Sequence, residues 1–331
     1  DSWFSSCKGG FDSPRDRHEI MINVCIIGYG YWGPNLCRNF SNANGYNLSA
    51  ICDNDPKKLT NAKKNYPNVK IFRNFKEAVN SNKYQLIVLA TPTSTHYALA
   101  KFILKKSINL LVEKPLCLSI KHHNNLNKLA KENNVKIFID FPFIFSGSIN
   151  FVKNIIKNKR FGKLKSIESY REQAPIRTDT NVLWDLSIHD ISILEYLIGT
   201  NKFKITSALK KDYKNKNYSE IQINLKNNKG LNIFIKNKWK SPTKIRLMKF
   251  IFEDATIYCD ENETLYKIKI YKSIKNKFNQ FTLDVPKIDL TEPLTNLANY
   301  ILKILSKKRK PTFTDNFNIS ITKLMVLLDK K

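Results

Sequence analysis

"INVCIIGYGYWGPNLCRNF", residues 22–40, is the stretch that decides the fold. It begins as an apolar run, passes through Gly28, Gly30 and Gly33 at GxGxxG spacing, and continues with apolar residues at helical intervals. Glycine marks many turns for steric reasons alone, so a tight bend is the alternative interpretation. A strand before the glycines and a helix after them favour a turn that holds a pyrophosphate, because a helix N-terminus attracts anions.

Each residue of this turn has a predicted task. Gly28 closes the strand, Gly30 lets the backbone approach a pyrophosphate, and Gly33 lets the helix pack closely on the strand. Tyr31 and Trp32 lie between the glycines. We therefore expect both aromatic residues to contact the cofactor as well.

Asp53 lies at the end of the next predicted strand, "YNLSAIC", twenty residues after Gly33. A carboxylate at this place accepts hydrogen bonds from the ribose hydroxyls of the adenosine half, and its charge repels a 2′-phosphate. Strand, glycines, helix and acid thus follow in the order of a dinucleotide-binding unit. The predicted cofactor is NAD, with NADP as the less favoured alternative.

Residues 21–140 alternate between short apolar runs and amphipathic stretches. The runs "INVCIIG", "YNLSAIC", "VKIF", "QLIVLA", "NLLVE" and "VKIFID" are predicted strands. Their apolar residues are continuous rather than alternating, which indicates strands buried on both faces and hence a parallel sheet with crossover helices. We predict an N-terminal Rossmann domain of the doubly wound α/β class.

The pattern changes in residues 141–331. Two predicted helices, at "SINFVKNIIKN" and at about 183–198, flank the strand "KLKSIESYRE", and long strands with two-residue alternation follow. Alternation indicates a sheet with one buried and one open face. We predict a C-terminal α+β domain with a large open, mostly antiparallel sheet, which binds the substrate and joins copies of the chain into a homodimer or homotetramer. Residues 1–20 form an extension of unknown role.

The charge and apolar patterning limit the class of protein. The 331 residues include 56 Lys and Arg against 28 Asp and Glu, a net charge of +28, but the lysines are scattered as codon bias would produce. No nucleic-acid motif accompanies the charge, so we predict anionic small ligands rather than nucleic acid. No apolar stretch approaches the length of about 20 residues that spans a membrane, and no signal peptide is recognised. We expect a cytoplasmic protein.

Cysteine usage agrees with that location. The chain has six cysteines, Cys7, Cys25, Cys37, Cys52, Cys117 and Cys259, and none form a CxxC pair. Several lie in apolar strand-like runs, where a small thiol packs well. The pattern predicts a reducing compartment and no metal site.

Two further stretches follow central strands, at the sheet edge where open α/β sheets bind ligands. "ATPTSTH" places Thr91, Pro92, Thr93 and His96 there, and "EKP" adds Glu113 and Lys114. We expect cofactor contacts from these residues. For His96 the alternative is a solvent-facing side chain in the first helical turn, and for Glu113 and Lys114 it is a surface ion pair.

The third stretch is "VLWDLSIHDISILEYLIG", which has the apolar pattern of a buried helix. Asp185 and His189 stand four residues apart and so share one helix face. A carboxylate beside an imidazole orients the ring and stabilises its protonated form, as a base that accepts a hydroxyl proton requires. The alternative is a structural hydrogen bond.

The motifs GYGYWGPNL, ATPTSTH, EKP and WDxxxHD, in this order, resemble those of the Gfo/Idh/MocA oxidoreductases, from residue 22 to about 315. The resemblance implies an NAD(P)-dependent dehydrogenase that acts on CH–OH groups of sugars, inositols or their derivatives. It also implies that His189 accepts the hydroxyl proton, that Asp185 orients His189, and that Lys114 holds the reacting oxygen. Distinct alternatives are an inositol or simple-sugar dehydrogenase and, more distantly, a non-catalytic dinucleotide-binding regulator.

Within the family, "RTDTNVLWDLSIHDISIL" and "KWKSPTKIR" are most similar to the nucleotide-sugar dehydrogenase branch, of the type acting on UDP-N-acetylglucosaminuronate in surface-polysaccharide synthesis. Arg177 and Asn181, just before the predicted catalytic helix, are expected to contact substrate. Arg177, Lys238, Lys244 and Arg246 would supply donors to a diphosphate or uronate. One departure is "IDFPFIFSGS", where many relatives have a Gly-His-Thr stretch, and it alters one wall of the pocket.

Overall fold

A computed structural model describes residues 21–81, 83–201, 203–214, 217–274 and 280–331. The polypeptide forms two sheets, and helices pack against each of them. The predicted extension over residues 1–20, with Cys7, lies outside the described residues.

The first sheet has six parallel strands in the order β3-β2-β1-β4-β5-β6. Its strands are β1 (Ile22–Ile27), β2 (Tyr46–Cys52), β3 (Lys70–Phe72), β4 (Leu86–Leu89), β5 (Asn109–Glu113) and β6 (Ile137–Asp140). The helices between them are α1 (Gly33–Asn42), α2 (Pro56–Asn65), α3 (Phe75–Asn80), α4 (Thr93–Leu104) and α5 (Ile120–Glu132). The predicted Rossmann domain is confirmed.

The strand order explains where a ligand can bind. The chain proceeds outward from β1 through β2 to β3, and then crosses back to β4 on the other side of β1. The connections after β1 and β4 therefore leave in opposite directions and open a crevice at the carboxyl ends of these strands. All four residues of β4 are fully buried, as its continuous apolar sequence predicts.

The second sheet has eight strands in the order β14-β13-β12-β11-β7-β10-β9-β8. They are β7 (Leu164–Glu172), β8 (Phe203–Lys214), β9 (Asn217–Asn227), β10 (Asn232–Lys238), β11 (Ile245–Phe252), β12 (Ala255–Asp260), β13 (Ile268–Ser273) and β14 (Phe281–Asp284). Among the described strand pairs of this second sheet, only β7 and β10 run parallel. The predicted mostly antiparallel sheet is therefore confirmed.

Two helices lie beside this sheet where the sequence predicts them, and one of them differs from the prediction in its helix geometry. They are α6 (Gly147–Asn158) and α7 (Ile188–Ile198). The predicted helix at about 183–198 begins as a turn of π-helix over Leu183–Ser187 and continues as α7. π-turns are rare and are frequent at functional sites, and this one contains Asp185.

The last two helices, α8 (Pro293–Leu305) and α9 (Asp315–Lys330), return to the first domain. Arg38 at α1 makes a bidentate ion pair with Glu292, with both N–O distances 2.8 Å. The Tyr46 hydroxyl donates to the Ala298 carbonyl at 2.7 Å. A division of the chain at residue 140 separates the two sheets. However, α8 and α9, which follow the second sheet in the sequence, pack against α1 and α5 of the first domain.

No helix in the described part of the chain is long and apolar enough to cross a membrane. The five described cysteines are buried free thiols, namely Cys25, Cys37, Cys52, Cys117 and Cys259. They fill space in the core, as the apolar runs predict.

His123 joins α5 to α9 inside the protein. Its Nδ1 lies 2.8 Å from the Thr322 hydroxyl, and Nε2 has no hydrogen-bond partner among the described residues. Burial lowers the pKa of His123 from 6.5 to about 4. The unfolded chain therefore binds a proton at this position at a higher pH than the folded chain does, and the folded state loses stability as the pH falls through 6.5 towards 4.

We expect His123→Gln to reduce this acid sensitivity. At pH 5 the wild-type chain should have lost about 2 kcal/mol through this residue relative to pH 7.5, and the variant should not lose that share. Urea unfolding of both proteins at the two pH values measures it. The pH 7.5 values give the packing cost of the substitution by itself, and equal pH dependence in the two proteins would contradict the prediction.

Candidate active site

One crevice of about 910 Å³ runs from the glycine turn of the first domain to the second sheet. Its lining includes the ends of β1, β2, β4 and β5 on one side and residues of β7 and β11 on the other. This volume lies in the range of cofactor and ligand sites. The two sheets therefore share one candidate site.

The glycine turn has the shape that pyrophosphate binding needs. Gly28 has φ +103°, and a Cβ there would lie 2.5 Å from the Ala90 carbonyl oxygen. A Cβ on Gly33 would lie 2.2 Å from the Gly28 carbonyl oxygen, so only glycine lets α1 approach the turn. A Cβ on Gly30 would meet nothing within 4 Å, which leaves the backbone open to a ligand. These features fit a dinucleotide phosphate.

Asp53 lines the crevice directly after β2 and is 8% exposed. One carboxylate oxygen accepts from the Tyr29 N–H at 2.7 Å, and the other accepts from the Asp55 N–H at 2.9 Å. Both bonds fix the carboxylate where a ribose would lie. Lys58 and Arg73 line the same end, with Lys58 Nζ 3.9 Å from Asp53, and the sequence had not suggested either cation.

Tyr31 and Trp32 take different positions in the turn. Tyr31 is 85% exposed and lines the crevice. The Trp32 indole donates to Asp140 at 2.9 Å and so ties the turn to the end of β6. Glu113 lies opposite Asp140 on the neighbouring strand. Burial raises the pKa of both carboxyl groups, and the neighbouring Asp140 raises the pKa of Glu113 further.

Only part of the loop after β4, which is predicted to contact the cofactor, reaches the crevice. Thr91, Pro92 and Thr93 line the crevice, whereas His96 does not. His96 is 1% exposed, and its ring nitrogens lie 2.8 Å from the carbonyl oxygens of Pro115 and Thr91. Both expectations for His96, cofactor contact and solvent exposure, are therefore wrong. Its ring fastens the loop after β4 to the loop after β5, and burial lowers its pKa.

Lys114 is buried at the inner end of the crevice. Its Nζ donates to the Asp185 main-chain carbonyl at 2.7 Å and to the Asp185 carboxylate at 3.2 Å. The second oxygen of that carboxylate accepts from the Trp239 indole at 2.8 Å. Lys114 is therefore part of a buried ion pair rather than the surface pair that was the alternative.

His189 is close to this pair but not bonded to Asp185, although both residues are described. The predicted hydrogen bond between them is absent because Lys114 and Trp239, from distant parts of the sequence, occupy the carboxylate. His189 Nδ1 is buried without a partner in the described part of the chain. Burial first, and then the charges of Lys114, Arg171 and Arg246, lower the pKa of His189 well below its usual value. Its ring is neutral at neutral pH and can accept a proton.

Phe143 and Arg171 complete this end of the site, and the sequence did not single out either of them. Phe143 comes from the unusual "IDFPFIFSGS" stretch, and its ring meets the His189 ring edge-on, with centroids 5.0 Å apart. The Arg171 guanidinium lies 4.1 Å from the Phe143 centroid and donates to Asp190 at 2.6 Å. Arg171 is 3% exposed, so its charge sits inside the protein.

Of the residues predicted to contact substrate, Arg177 and Arg246 line the crevice. Asn181 does not line it, since its side chain accepts from the Trp184 N–H and donates to Asp329 on α9. Lys238 is paired with Glu220 at 3.8 Å, and Lys244 is exposed. The predicted cluster of four cations is thus wrong for the two lysines. A run of basic residues in sequence does not show which side chains turn towards one crevice.

The fold and the crevice define a nicotinamide-dinucleotide-binding protein of the α/β class. Residues 22–141 match the model of the Gfo/Idh/MocA oxidoreductase family, described as having an NAD-binding Rossmann fold. This match confirms, for the first domain, the family that the motifs predict, and NAD binding with it.

Three similar proteins illustrate the relationship. The chain is 23% identical over 184 residues to myo-inositol 2-dehydrogenase of Thermotoga maritima, covering 54% of this chain and 55% of that protein. UDP-N-acetylglucosamine 3-dehydrogenase GnnA of Acidithiobacillus ferrooxidans has a TM-score of 0.79 at 16% identity, covering 93% and 97%. The 3-ketoreductase KijD10 of Actinomadura kijaniata, in complex with TDP-benzene and NADP, has a TM-score of 0.82 at 11% identity, covering 92% and 95%.

These likenesses differ in extent. The chain spans about half the length of the first curated relatives that it matches. The solved structures cover nearly the whole chain at low identity and show that it shares their two-domain fold.

We expect Asp53→Ser to shift cofactor preference towards NADP. The substitution removes the charge that would repel a 2′-phosphate while Lys58 and Arg73 remain to attract it, so the NADP to NAD ratio of affinities should rise about tenfold or more. Fluorescence titration with NADH and NADPH measures it. The double variant with Arg73→Gln should show a smaller rise. An unchanged ratio in a variant that unfolds at the wild-type temperature would refute this role of Asp53.

Proposed function

We propose that this chain is an NAD-dependent dehydrogenase that acts on a ring hydroxyl of a sugar. The observation that carries the proposal is the continuity of the crevice, which joins Asp53 and the glycine turn to Lys114, Asp185 and His189. The oxidoreductase family of the first domain supports it. NAD, when bound, supplies the hydride acceptor for the alcohol or, as NADH, the donor for the ketone.

His189 is the proposed base. Its neutral ring lines the crevice, and a positioned base of this kind takes the proton from the hydroxyl as the alcohol becomes a ketone. Phe143 at its edge limits how the ring can turn. Burial, and then the nearby positive charges, favour the neutral ring, so the base is unprotonated before reaction.

Lys114 is the proposed donor to the reacting oxygen. An ammonium group has three N–H bonds, and two of them go to Asp185. The third remains for the substrate oxygen, on which negative charge develops as the proton leaves. Asp185 is thus a positioning residue for Lys114 rather than for His189, and Trp239 fixes its carboxylate.

The substrate that we favour is a nucleotide sugar. The motif resemblance to that branch supports it, and proteins of the same fold include a UDP-N-acetylglucosamine 3-dehydrogenase and a 3-ketoreductase in complex with a TDP compound. The similarity to myo-inositol 2-dehydrogenase keeps an inositol or free sugar as the second candidate. Only catalytic turnover would exclude the third, a dinucleotide-binding regulator.

A substrate panel tests this function. We expect NADH formation with UDP- or dTDP-sugars or their uronates, and slower turnover of glucose, myo-inositol and their phosphates. His189→Asn should lower kcat by about two to four orders of magnitude with NAD affinity nearly kept. Because its pKa is lowered, His189 stays unprotonated as the pH falls through 6.5, so kcat/KM for oxidation should begin to fall only at lower pH.

Two results of the panel would contradict the proposal. Faster oxidation of free inositol or glucose than of every nucleotide sugar would favour the second candidate. NAD binding without turnover of any member, or a His189→Asn variant as fast as wild type, would remove the catalytic assignment.

We further propose that the open face of the second sheet joins copies of the chain, in a cytoplasmic location to which the buried thiols are suited. This face combines aromatic residues, such as Tyr170 and Phe234, with ion pairs, such as Lys249 and Glu168 at 3.2 Å. Its aromatic side chains are only partly buried in the single chain.

Light scattering tests the self-association. We expect a molar mass of twice or four times 38.5 kDa, and a lower mass for Phe234→Glu, which places a charge on the open face. Leu327→Glu, on the exposed surface of α9, is the matched control and should keep the wild-type mass. A monomeric wild-type chain would disprove this interface.

A further inference from the structure

Two arginines stand side by side at the inner end of the crevice. Arg171 on β7 and Arg246 on β11 are direct partners across this antiparallel strand pair, and both line the crevice. Side chains directly opposite each other share one face of the sheet, with Cβ atoms about 5 Å apart. Like charges in this position destabilise the sheet. The pair therefore needs an explanation.

The cations of this region differ in how their charges are balanced. Lys114 has Asp185, Arg171 has Asp190, and Arg177 has Asp179 as carboxylate partners. For Arg246 no carboxylate lies within 4 Å in the described part of the chain. Its Nη1 and Nη2 donate instead to the carbonyl oxygens of Glu172, Ile245 and Gln173.

Those carbonyl contacts leave Arg246 with binding capacity. A guanidinium has five N–H donors, and three of them are used by the three carbonyls. The carbonyls also hold the side chain in place beside the crevice. Burial and then the neighbouring Arg171 lower the pKa of Arg246, and the charges of Asp190 and Asp185 only partly offset this effect. A fixed, partly desolvated cation with free donors is well suited to an oxyanion.

The position of this pair limits where the anion can be on a substrate. The Arg171 guanidinium lies 4.1 Å from the Phe143 ring centroid, and that centroid lies 5.0 Å from the His189 ring centroid. Arg171 and the base thus both contact one phenyl ring. An anion held beside Arg171 is close enough to His189 to belong to the same sugar ring as the reacting hydroxyl.

We propose that Arg246, with Arg171 beside it, binds an oxyanion carried by the sugar ring itself, a carboxylate or a phosphate next to the reacting hydroxyl. This inference rests on the proposed dehydrogenase function and narrows its substrate class to uronates and sugar phosphates, with or without a nucleotide. Arg171 already has Asp190 as its partner, so the anion would chiefly balance the charge of Arg246, which has no carboxylate within 4 Å in the described part of the chain.

The test compares substrates that differ only in this charge. The pairs are UDP-N-acetylglucosaminuronate with UDP-N-acetylglucosamine, and glucose 6-phosphate with glucose, and each pair gives a ratio of kcat/KM. We expect wild type to favour the charged member of at least one pair by about tenfold or more, and Arg246→Gln to lower that ratio about ten- to a hundredfold. Which pair responds tells a carboxylate from a phosphate.

Two further variants separate charge from structure. Arg246→Lys keeps the charge and should retain part of the preference. Lys244→Gln removes an exposed charge two residues away and should keep the wild-type ratio. Wild-type ratios near one in both pairs, or an Arg246→Gln variant that slows both members of a pair equally, would overturn the proposal.

A binding measurement keeps the inference separate from the proposed function. If no substrate is oxidised, thermal unfolding at constant ionic strength with added glucuronate or inorganic phosphate still reports on the site, because a ligand that binds the folded chain raises the unfolding temperature. We expect a rise for wild type and Lys244→Gln and a smaller rise for Arg246→Gln. Equal rises for all three proteins would overturn the anion site independently of any activity.

Discussion

The buried ion pair of Lys114 and Asp185 is the contact on which the site depends. Lys114 directly follows β5 of the first domain, and Asp185 belongs to the π-turn before α7 in the second. Two charges taken out of water are stable only when further hydrogen bonds offset the loss of their hydration. The Trp239 indole and the Asp185 carbonyl meet that condition and fix the pair. Breaking such a pair costs about 3–5 kcal/mol, because one charge remains buried alone.

The charges around this pair divide the crevice into two chemically different ends. At the outer end Asp53 faces the ribose position beside two cations that only partly offset it. Near the middle, burial raises the pKa of both Glu113 and Asp140, because neither carboxylate is well hydrated. At the inner end cations outnumber carboxylates, and burial together with these cations lowers the pKa of His189. This division of the crevice depends on which side chains turn towards it. The net charge of the whole chain does not determine it.

Local sequence predicted the architecture well because its signals are local. Continuous apolarity in "LIVL" and similar runs reflects burial on both faces, and the two-residue alternation of β10 reflects burial on one. The glycine spacing predicted the turn because a Cβ at Gly28 or Gly33 would collide with backbone whatever the remaining chain does. Predictions failed where a side chain had two plausible surroundings. The His96 ring is buried between two carbonyl oxygens, and the Asn181 side chain accepts a hydrogen bond from the Trp184 N–H at the start of the π-turn.

The sequence by itself determined the Rossmann domain, the mixed character of the second sheet, the dinucleotide turn with Asp53, and the candidates Lys114 and His189, because spacing along one strand or helix carries that information. Only the tertiary structure decided that Asp185 holds Lys114 rather than His189, and that Arg171 and Arg246 meet beside Phe143. Lys114 and Asp185 are 71 positions apart in the sequence, and Arg171 and Arg246 are 75 positions apart. Pairing at such separations is set by strand register and by competition among buried donors and acceptors, neither of which a local pattern records.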